Sequence, residues 1–297
     1  MPRIDVEITH ADRVLFPDDG ITKGDVVAYY SAVASAMLPH LKGRPLMLQR
    51  FPRGIDEAGF VQKDFEDNLP GWMSWAEVPK QDGTVVHALA ERPEALTWLA
   101  NQDSIVIHTW LSRQGSLDKP DRLVFDLDPS GADDFGLVRA TARALAGLLD
   151  DLGLSCYLKT TGSRGLHVVV PLQVEADFDT AREFARDVAE LVVADDPDHR
   201  TVQARKDKRG ERLYLDVMRN AYAQTAVAPY SIRPRRGAPV ATPLQWDELD
   251  GRGLRPDGFT IKDVPGRLAD QGDPWADMRR HARSLHRPRE RLDRSRA

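Results

Sequence analysis

The stretch RLVFDLDP, residues 122–129, has the composition of a buried strand but carries two acids. Successive side chains of a strand point to opposite faces, so one face takes three apolar residues, Leu123, Phe125 and Leu127. The other face takes Val124 and the two acids, Asp126 and Asp128. Asp is a poor strand residue, and like charges on one face repel each other. The pair therefore indicates that something cationic binds between the carboxylates.

Length and composition predict a globular protein with a substantial core. The chain has 297 residues, of which 41% are apolar, enough for one large domain or two small ones. The one cysteine, Cys156, excludes a disulfide framework and a zinc site built on several thiolates. The first residues contain no apolar signal segment, and no run is long enough to span a membrane. We therefore expect a soluble cytoplasmic protein without a membrane partner.

Charge is distributed unevenly along the chain. The net charge of −5 argues against nonspecific coating of nucleic acid, but residues 200–237 hold ten Lys or Arg against three acids, a local balance of +7. Local basic patches are what a phosphate-bearing partner recognises. Because this patch surrounds another strand-borne acid, Asp216, we interpret it as functional. The basic tail, residues 279–297, is interpreted as solvated and frayed.

The first 115 residues are predicted to form a smaller N-terminal lobe. Thr22, with Asp25 three residues later, has the pattern of a capping box in front of a helix within residues 20–38. The same lobe has further periodic segments, namely strands at 44–52, 83–89 and 104–111 and a helix at 93–102.

Residues 116–240 are predicted to form a catalytic lobe of α/β layers. Apolar spacing predicts two helices, 135–152, followed by Gly153, and 178–193. The predicted strands are 122–128, 155–161, 166–172, 201–204, 212–218 and 226–232. Strand pairs joined by short loops are antiparallel. Residues 241–297 are interpreted as a wrapping extension with a helix near 273–285, so residues 1–297 are expected to form one module.

A third strand-borne acid lies in the stretch ERLYLDVMRN, where Asp216 shares a face with Tyr214. Three carboxylates on strands suit two divalent ions, because Mg²⁺ and Mn²⁺ prefer oxygen ligands. Two such ions stabilise both the attacking and the leaving oxygen of a phosphoryl displacement. The alternative is that Asp126 or Asp128 only caps a turn before Pro129.

Two further motifs carry groups that suit phosphate. The stretch KTTGSRGLHVVVP, residues 159–171, combines hydroxyls, cations, two glycines and His167, although a hairpin turn with a packed histidine has the same pattern. In YSIRPRRG, an extended chain points Arg233 and Arg235 to one side, where guanidinium forks suit phosphate oxygens. The alternative for the arginine pair is a solvated edge strand. No Walker A motif is present.

The order of these motifs resembles the archaeo-eukaryotic primase superfamily, and in particular the polymerase module of bacterial ligase D. The similarity covers nearly the whole chain. It implies an α/β (α+β) primase-type fold, with a mostly antiparallel catalytic sheet flanked by helices and a smaller N-terminal lobe. It also implies that two metal ions, Mn²⁺ or Mg²⁺, bind Asp126, Asp128 and Asp216. The incoming triphosphate would contact Thr161, Ser163, Arg164, His167, Arg209, Arg233 and Arg235.

The resemblance assigns further roles outside this centre. Arg13 and Lys23 would bind the 5′-phosphate on the downstream strand of a gap, although the sequence alone identifies them only as exposed cations. Phe60 would stack on the template, and His108 lies near the nucleotide or is a packed strand histidine. The family shows Ser where this chain has Thr161, and it can show an aromatic where this chain has Gly59.

The implied function is a template-dependent primase-polymerase that extends primers and fills short gaps in end joining, with a preference for ribonucleotides. Its partners would be gapped or broken DNA, nucleoside triphosphates, a DNA ligase on another chain and the end-binding protein Ku. One alternative is a two-metal nuclease, which would release nucleotides without added triphosphate. Another is a catalytically silent module that binds DNA ends and recruits a ligase, which would bind without a metal.

Overall fold

A computed structural model describes residues 4–80, 82–131 and 135–296. Its strands are β1 Val14–Phe16, β2 Ile21–Thr22, β3 Leu46–Arg50, β4 Phe60–Gln62, β5 Ser74–Lys80, β6 Gly83–Leu89, β7 Ser104–Trp110, β8 Arg122–Asp128, β9 Tyr157–Thr160, β10 Leu166–Pro171, β11 Arg200–Thr201, β12 Leu213–Asp216, β13 Thr225–Val227 and β14 Pro243–Leu244. Its helices are α1 Lys23–Ala32, α2 Ala34–Leu41, α3 Pro93–Asn101, α4 Phe135–Asp151, α5 Phe178–Ala194, α6 Lys206–Arg209, α7 Val264–Gln271 and α8 His286–Arg296.

The central sheet has six strands in the order β11-β12-β8-β10-β9-β14, and every pair except β11–β12 is antiparallel. Helices α4 and α5 cover one face, because each presents apolar side chains at helical spacing. The predicted alternation in β8 is confirmed by the core that these helices form with the strand, since it takes in Leu123, Phe125 and Leu127. The two acids of β8 consequently lie on the opposite face.

A second sheet, β13-β7-β3-β4, belongs to the N-terminal lobe together with α1, α2 and α3. The predicted helix within residues 20–38 is interrupted at Val33, and the capping box between Thr22 and Asp25 is present. Strand β13 comes from much later in the chain, and residues 227–264 contribute to the same core. The later part of the chain therefore contributes a strand and core residues to the N-terminal lobe, and β7 meets the catalytic part of the chain through β13.

Two local predictions are wrong. The helix near 273–285 is absent; that stretch contains only a 3₁₀ turn, Met278–His281, because Pro274 disfavours a helix before it and Trp275 is anchored in the core. The indole of Trp275 donates to the carbonyl of Leu158 at 3.0 Å. Strand β13 ends at Val227, well before the predicted end at 232.

The tail is helical and docked instead of frayed. Leu292 of α8 is fully buried, and Arg289 forms an ion pair with Asp187 of α5. An apolar anchor of this kind is hard to recognise in a strongly basic sequence. Ala297 lies outside the described residues. Among the described residues, no helix has both the length and the apolar character that crossing a bilayer requires.

Candidate active site

One row of side chains crosses the face of the catalytic sheet that lies opposite helices α4 and α5. Asp216 of β12 pairs with Asp126 of β8, which pairs with His167 of β10, which in turn pairs with Lys159 of β9. Directly paired residues have Cβ atoms about 4.5–5.5 Å apart. The register thus brings two of the three predicted carboxylates and the predicted histidine side by side.

The carboxylates of Asp126 and Asp216 share one guanidinium. Nε of Arg219 lies 3.7 Å from Oδ2 of Asp126 and 3.8 Å from Oδ2 of Asp216. The backbone N–H of Met218 donates to Oδ1 of Asp216 at 2.7 Å and fixes its orientation. The sequence interpretation counted Arg219 in the basic stretch but missed it as a site residue. Its position three residues after Asp216 was the only available signal.

The third carboxylate, Asp128, faces two of the predicted phosphate-binding arginines. Nη2 of Arg164 donates to its Oδ1 at 3.0 Å, and Nη1 of Arg209 lies 3.6 Å from its Oδ2. The guanidinium of Arg209 also stacks over the ring of Tyr214 at 3.7 Å. Asp128 is therefore turned towards the Gly-Ser-Arg-Gly turn.

Burial and charge separate the titration of the two paired acids. Burial would raise the pKa of Asp126, but the contact with His167 and the charge of Arg219 outweigh it and lower this pKa to about 2. Burial and the neighbouring Asp126 raise the pKa of Asp216. Burial, and then the charge of Lys159, lower the pKa of His167 to about 4, so its imidazole is neutral at pH 7. Its Nε2 lies 3.4 Å from Oδ1 of Asp126.

A cleft of about 270 Å³ is lined by Asp126, Asp128, Arg164, His167 and Arg219, and it also receives Ser163, Arg233 and Arg235. His108 of β7 enters the cleft from the other sheet. Within the described residues, both of its ring nitrogens and Nε of Arg233 are buried without a hydrogen-bond partner. An unpaired buried polar group is costly, so the cleft suits an occupant rich in acceptor oxygens.

The Gly-Ser-Arg-Gly turn is packed against its own chain. A Cβ at Gly165 would lie 1.9 Å from the carbonyl oxygen of Leu127, and Gly162 has a φ of +63°. The hydroxyl of Thr161 donates to the carbonyl of Gly165 at 3.0 Å and accepts from its N–H at 3.2 Å. The glycines thus permit close packing of the turn against its own chain. The predicted contact of Thr161 with a triphosphate stays a prediction, because its hydroxyl closes the turn.

The predicted 5′-phosphate residues lie apart from this cleft, around Asp103. Arg13 forms an ion pair with Asp103, and Nζ of Lys23 lies 3.7 Å from its Oδ1. The prediction of two exposed cations is wrong for Lys23, which is 2% exposed because helix α1 begins at this residue and its side chain runs to Asp103 and Thr9. Burial lowers the pKa of Lys23.

Phe60 is 48% exposed, and the guanidinium of Arg50 lies 5.3 Å from its ring centroid. A Cβ at Gly59 would lie 2.5 Å from the ring of Phe51. The space for a second aromatic side chain next to Phe60 is therefore filled by Phe51, which follows β3.

The donor set fits divalent ions. Asp126 and Asp216 already share a cationic group, and hard cations of the Mg²⁺ class take carboxylate oxygens. Across residues 4–80, 82–131 and 135–296, no three acidic, histidine or cysteine side chains form a ready-made cage. This agrees with the orientation of Asp128 towards Arg164. The number and identity of the ions stay predictions.

Comparison with known proteins points in one direction. The family model described as "LigD, primase-polymerase domain" matches residues 22–275. The multifunctional non-homologous end joining protein LigD of Mycolicibacterium smegmatis is 35% identical over 275 residues, which are 92% of this chain and 36% of that protein. The bifunctional LigD of Bacillus subtilis is 32% identical over 277 residues, 93% of this chain and 44% of that protein.

The chain thus spans less than half the length of these curated relatives. Among solved structures, the polymerase domain from Mycobacterium tuberculosis ligase D in complex with DNA matches with a TM-score of 0.87 and 34% identity. The match covers 94% of this chain and 99% of that domain. It confirms the expected primase-type α/β fold. The chain belongs to the LigD primase-polymerase domain family, a family of nucleotidyltransferases.

Proposed function

We propose that this protein extends primers and fills short gaps during DNA end joining, by transferring nucleotides to a 3′-hydroxyl on a template. The observation that supports this most directly is the cleft where Asp126 and Asp128 meet arginines and unpaired histidine nitrogens, with Asp216 next to Asp126 on the sheet. The DNA complex of the related polymerase domain supports DNA as the partner.

The triphosphate of the incoming nucleotide would occupy the side of the cleft formed by Arg164, Arg233, Arg235, Ser163 and His108. Their donors face the cleft, and guanidinium groups bind phosphate oxygens in pairs. The neutral imidazole of His167 keeps Asp126 in place and adds no charge at pH 7. A polyphosphate would thereby satisfy the buried nitrogens that have no partner in the protein.

Asp126, Asp128 and Asp216 would hold two Mn²⁺ or Mg²⁺ ions. When bound, such ions lower the pKa of the primer hydroxyl and stabilise the leaving pyrophosphate. The low pKa of Asp126 keeps its carboxylate ionised and available as a ligand throughout the physiological range. The strand register places Asp126 and Asp216 side by side, and the charge of Arg219 offsets part of the repulsion between them.

Recognition of the 5′-phosphate is proposed at the Asp103 cluster. Arg13 and Lys23 contact Asp103, and the charge of Asp103 also acts on Arg50, so three cations share one acid. The excess charge suits a phosphate, and the exposed ring of Phe60 suits stacking on a base. A preference for ribonucleotides, a separate ligase and Ku as partners, and a cytoplasmic location are proposed from the family resemblance.

The test is extension of a labelled primer on gapped DNA that carries a downstream 5′-phosphate. Ribonucleotides and deoxyribonucleotides are supplied in parallel with Mn²⁺, and Asp128→Ala is the control. Extension that the variant loses would establish the polymerase and its sugar preference. Release of nucleotides without added triphosphate would favour a nuclease. Binding of the gap without extension would favour a module that recruits a ligase.

A further inference from the structure

A second charged cleft lies at the other end of strand β8. It has a volume of about 160 Å³ and is lined by Arg44, Arg113, Arg122, Arg279 and a single acid, Asp121. Arg122 shares a face of β8 with Asp126 but lies four residues earlier, about 13 Å away along the strand. The cleft is therefore separate from the candidate active site, and its properties do not depend on polymerase activity.

Both carboxylate oxygens of Asp121 accept hydrogen bonds from the arginines around it. Nη2 of Arg44 donates to both of its carboxylate oxygens, at 2.5 and 2.7 Å, and Nε of Arg113 donates to Oδ2 at 2.7 Å. Nε of Arg122 lies 3.6 Å from Oδ1. Burial would raise the pKa of Asp121, but the charges of Arg44, Arg122 and Arg113 outweigh it and hold this pKa far below its usual range.

Two guanidinium nitrogens in the cleft have no acceptor. Nη2 of Arg113 and Nε of Arg122 are buried without a hydrogen-bond partner among the described residues. The side chain of Arg122 is only 5% exposed. Arg44, in contrast, donates to the carbonyls of His40 and Trp110 as well as to Asp121. The unused donors therefore belong to Arg113 and Arg122.

The positive charge in the cleft exceeds the negative charge. Four guanidinium groups line it against one carboxylate, and Arg279 is the exposed member. Burial lowers the pKa of Arg122 to about 10; Asp121 acts against this shift, and Arg113 adds to it. Buried donors without acceptors and uncompensated like charges both raise the free energy of the folded state, and both are relieved by a bound anion.

We propose that this cleft binds a phosphate group. Planar guanidinium forks on several sides match the tetrahedral oxygens of phosphate, and the volume suits one small group. Arg113 follows β7, Arg122 begins β8, and Arg279 lies in the C-terminal 3₁₀ turn. A phosphate bound here joins residues 113–122 to the 3₁₀ turn that holds Arg279, far away in sequence, so it stabilises the fold as well as filling the cleft.

The test compares two adjacent arginines. Arg279→Ala removes the exposed guanidinium of the cleft, whereas Arg280→Ala removes an equal charge that pairs with Asp277 and does not line the cleft. Both variants carry Arg235→Ala, which weakens anion binding in the catalytic cleft. Melting temperature is measured against inorganic phosphate, with sodium chloride at equal ionic strength as the reference. Arg279→Ala is expected to weaken phosphate binding about tenfold relative to Arg280→Ala.

Further arms of the experiment identify where the phosphate comes from. Pyrophosphate and a short oligonucleotide without terminal phosphates are titrated against the same two variants. If inorganic phosphate or pyrophosphate stabilises the Arg279→Ala variant less than the Arg280→Ala variant, the result supports the proposal with a free anion as ligand. A difference only with the oligonucleotide supports it with the nucleic-acid backbone as ligand. Equal stabilisation of both variants by every probe overturns it.

Discussion

The two ends of strand β8 combine the same residue types in opposite proportions. At the start of the strand, one acid, Asp121, contacts three arginines, and the closest contacts are hydrogen bonds of 2.5–2.7 Å. At its end, Asp126, Asp128 and Asp216 contact arginines mostly at 3.6–3.8 Å. Short hydrogen bonds from Arg44 and Arg113 hold the buried Asp121 in a fixed arrangement, here called the Asp121 clamp. The longer contacts between arginines and the three acids at the other end are readily exchanged for contacts with a ligand. The two ends therefore differ in the ratio of acids to arginines and in the arginine–carboxylate distances, although both use the same residue types.

The largest effect is expected at the end of β8 that carries Asp126 and Asp128. Asp126→Asn should lower primer extension by about a thousandfold, on the order of the loss when a group that stabilises transition-state charge is removed. The fold should persist, because the change also removes the repulsion between Asp126 and Asp216. Rates of extension, DNA binding and melting temperature are measured together. Extension within tenfold of wild type would contradict the assigned role of this carboxylate.

At the start of β8, replacing Asp121 is expected to lower the stability of the protein. Asp121→Asn leaves Arg44, Arg113 and Arg122 without their shared charge partner, and breaking a buried ion pair from one side costs about 3–5 kcal/mol. Denaturant unfolding measures the loss, and extension per folded molecule should stay unchanged. Asp277→Asn, which removes an exposed acid paired with Arg280, is the matched control. A stability equal to that of the control would show that no clamp exists.

The difference in unfolding free energy between wild type and Asp121→Asn is expected to depend on pH. The pKa of Asp121 is lowered from its ordinary value of 3.8, so its contribution to stability is present above that value and is lost as pH falls below it. The difference in unfolding free energy between wild type and Asp121→Asn should therefore be constant from pH 7 to about 5 and shrink at lower pH. Unfolding at a series of pH values tests this. A difference that grows on acidification would reverse the sign of the argument.

The Asp103 cluster lies between the two extremes, with a partly exposed arginine on a largely buried acid. Arg13→Ala should reduce the preference for a 5′-phosphorylated gap about tenfold, because it removes one charged hydrogen bond to phosphate. Affinities for gaps with and without the phosphate give the ratio. Arg53→Ala, which is exposed and pairs weakly with Glu57, is the control. An unchanged ratio would move the phosphate site elsewhere.

The smallest effect concerns Arg219. Arg219→Gln should tighten Mn²⁺ binding about fivefold, because a tethered cation of this partly exposed kind contributes at most about 1 kcal/mol to its contacts with Asp126 and Asp216. Titration calorimetry without nucleotide measures the affinity. Arg205→Gln removes the same charge from a position paired with Asp207. If both variants bind Mn²⁺ alike, Arg219 does not compete with the metal.

The sequence by itself determined the features that depend on neighbours within one element. The period of two in residues 122–128 put Asp126 and Asp128 on one face, and the helical period set α4 and α5 almost to the residue. The capping box at Thr22 and Asp25 was likewise a local signal. Motif order added the family and its fold. Each of these features follows from backbone geometry that a short segment imposes on its own side chains.

Only the tertiary structure decided how distant segments meet. The register of β12 on β8 puts Asp216 beside Asp126 and brings Arg219 between them. His108 enters the cleft because β7 belongs to a second sheet. The helix predicted around Trp275 does not form, because the side chain of Trp275 is buried in the core. These outcomes depend on burial and hydrogen bonding between residues far apart in sequence, for which local periodicity carries no signal.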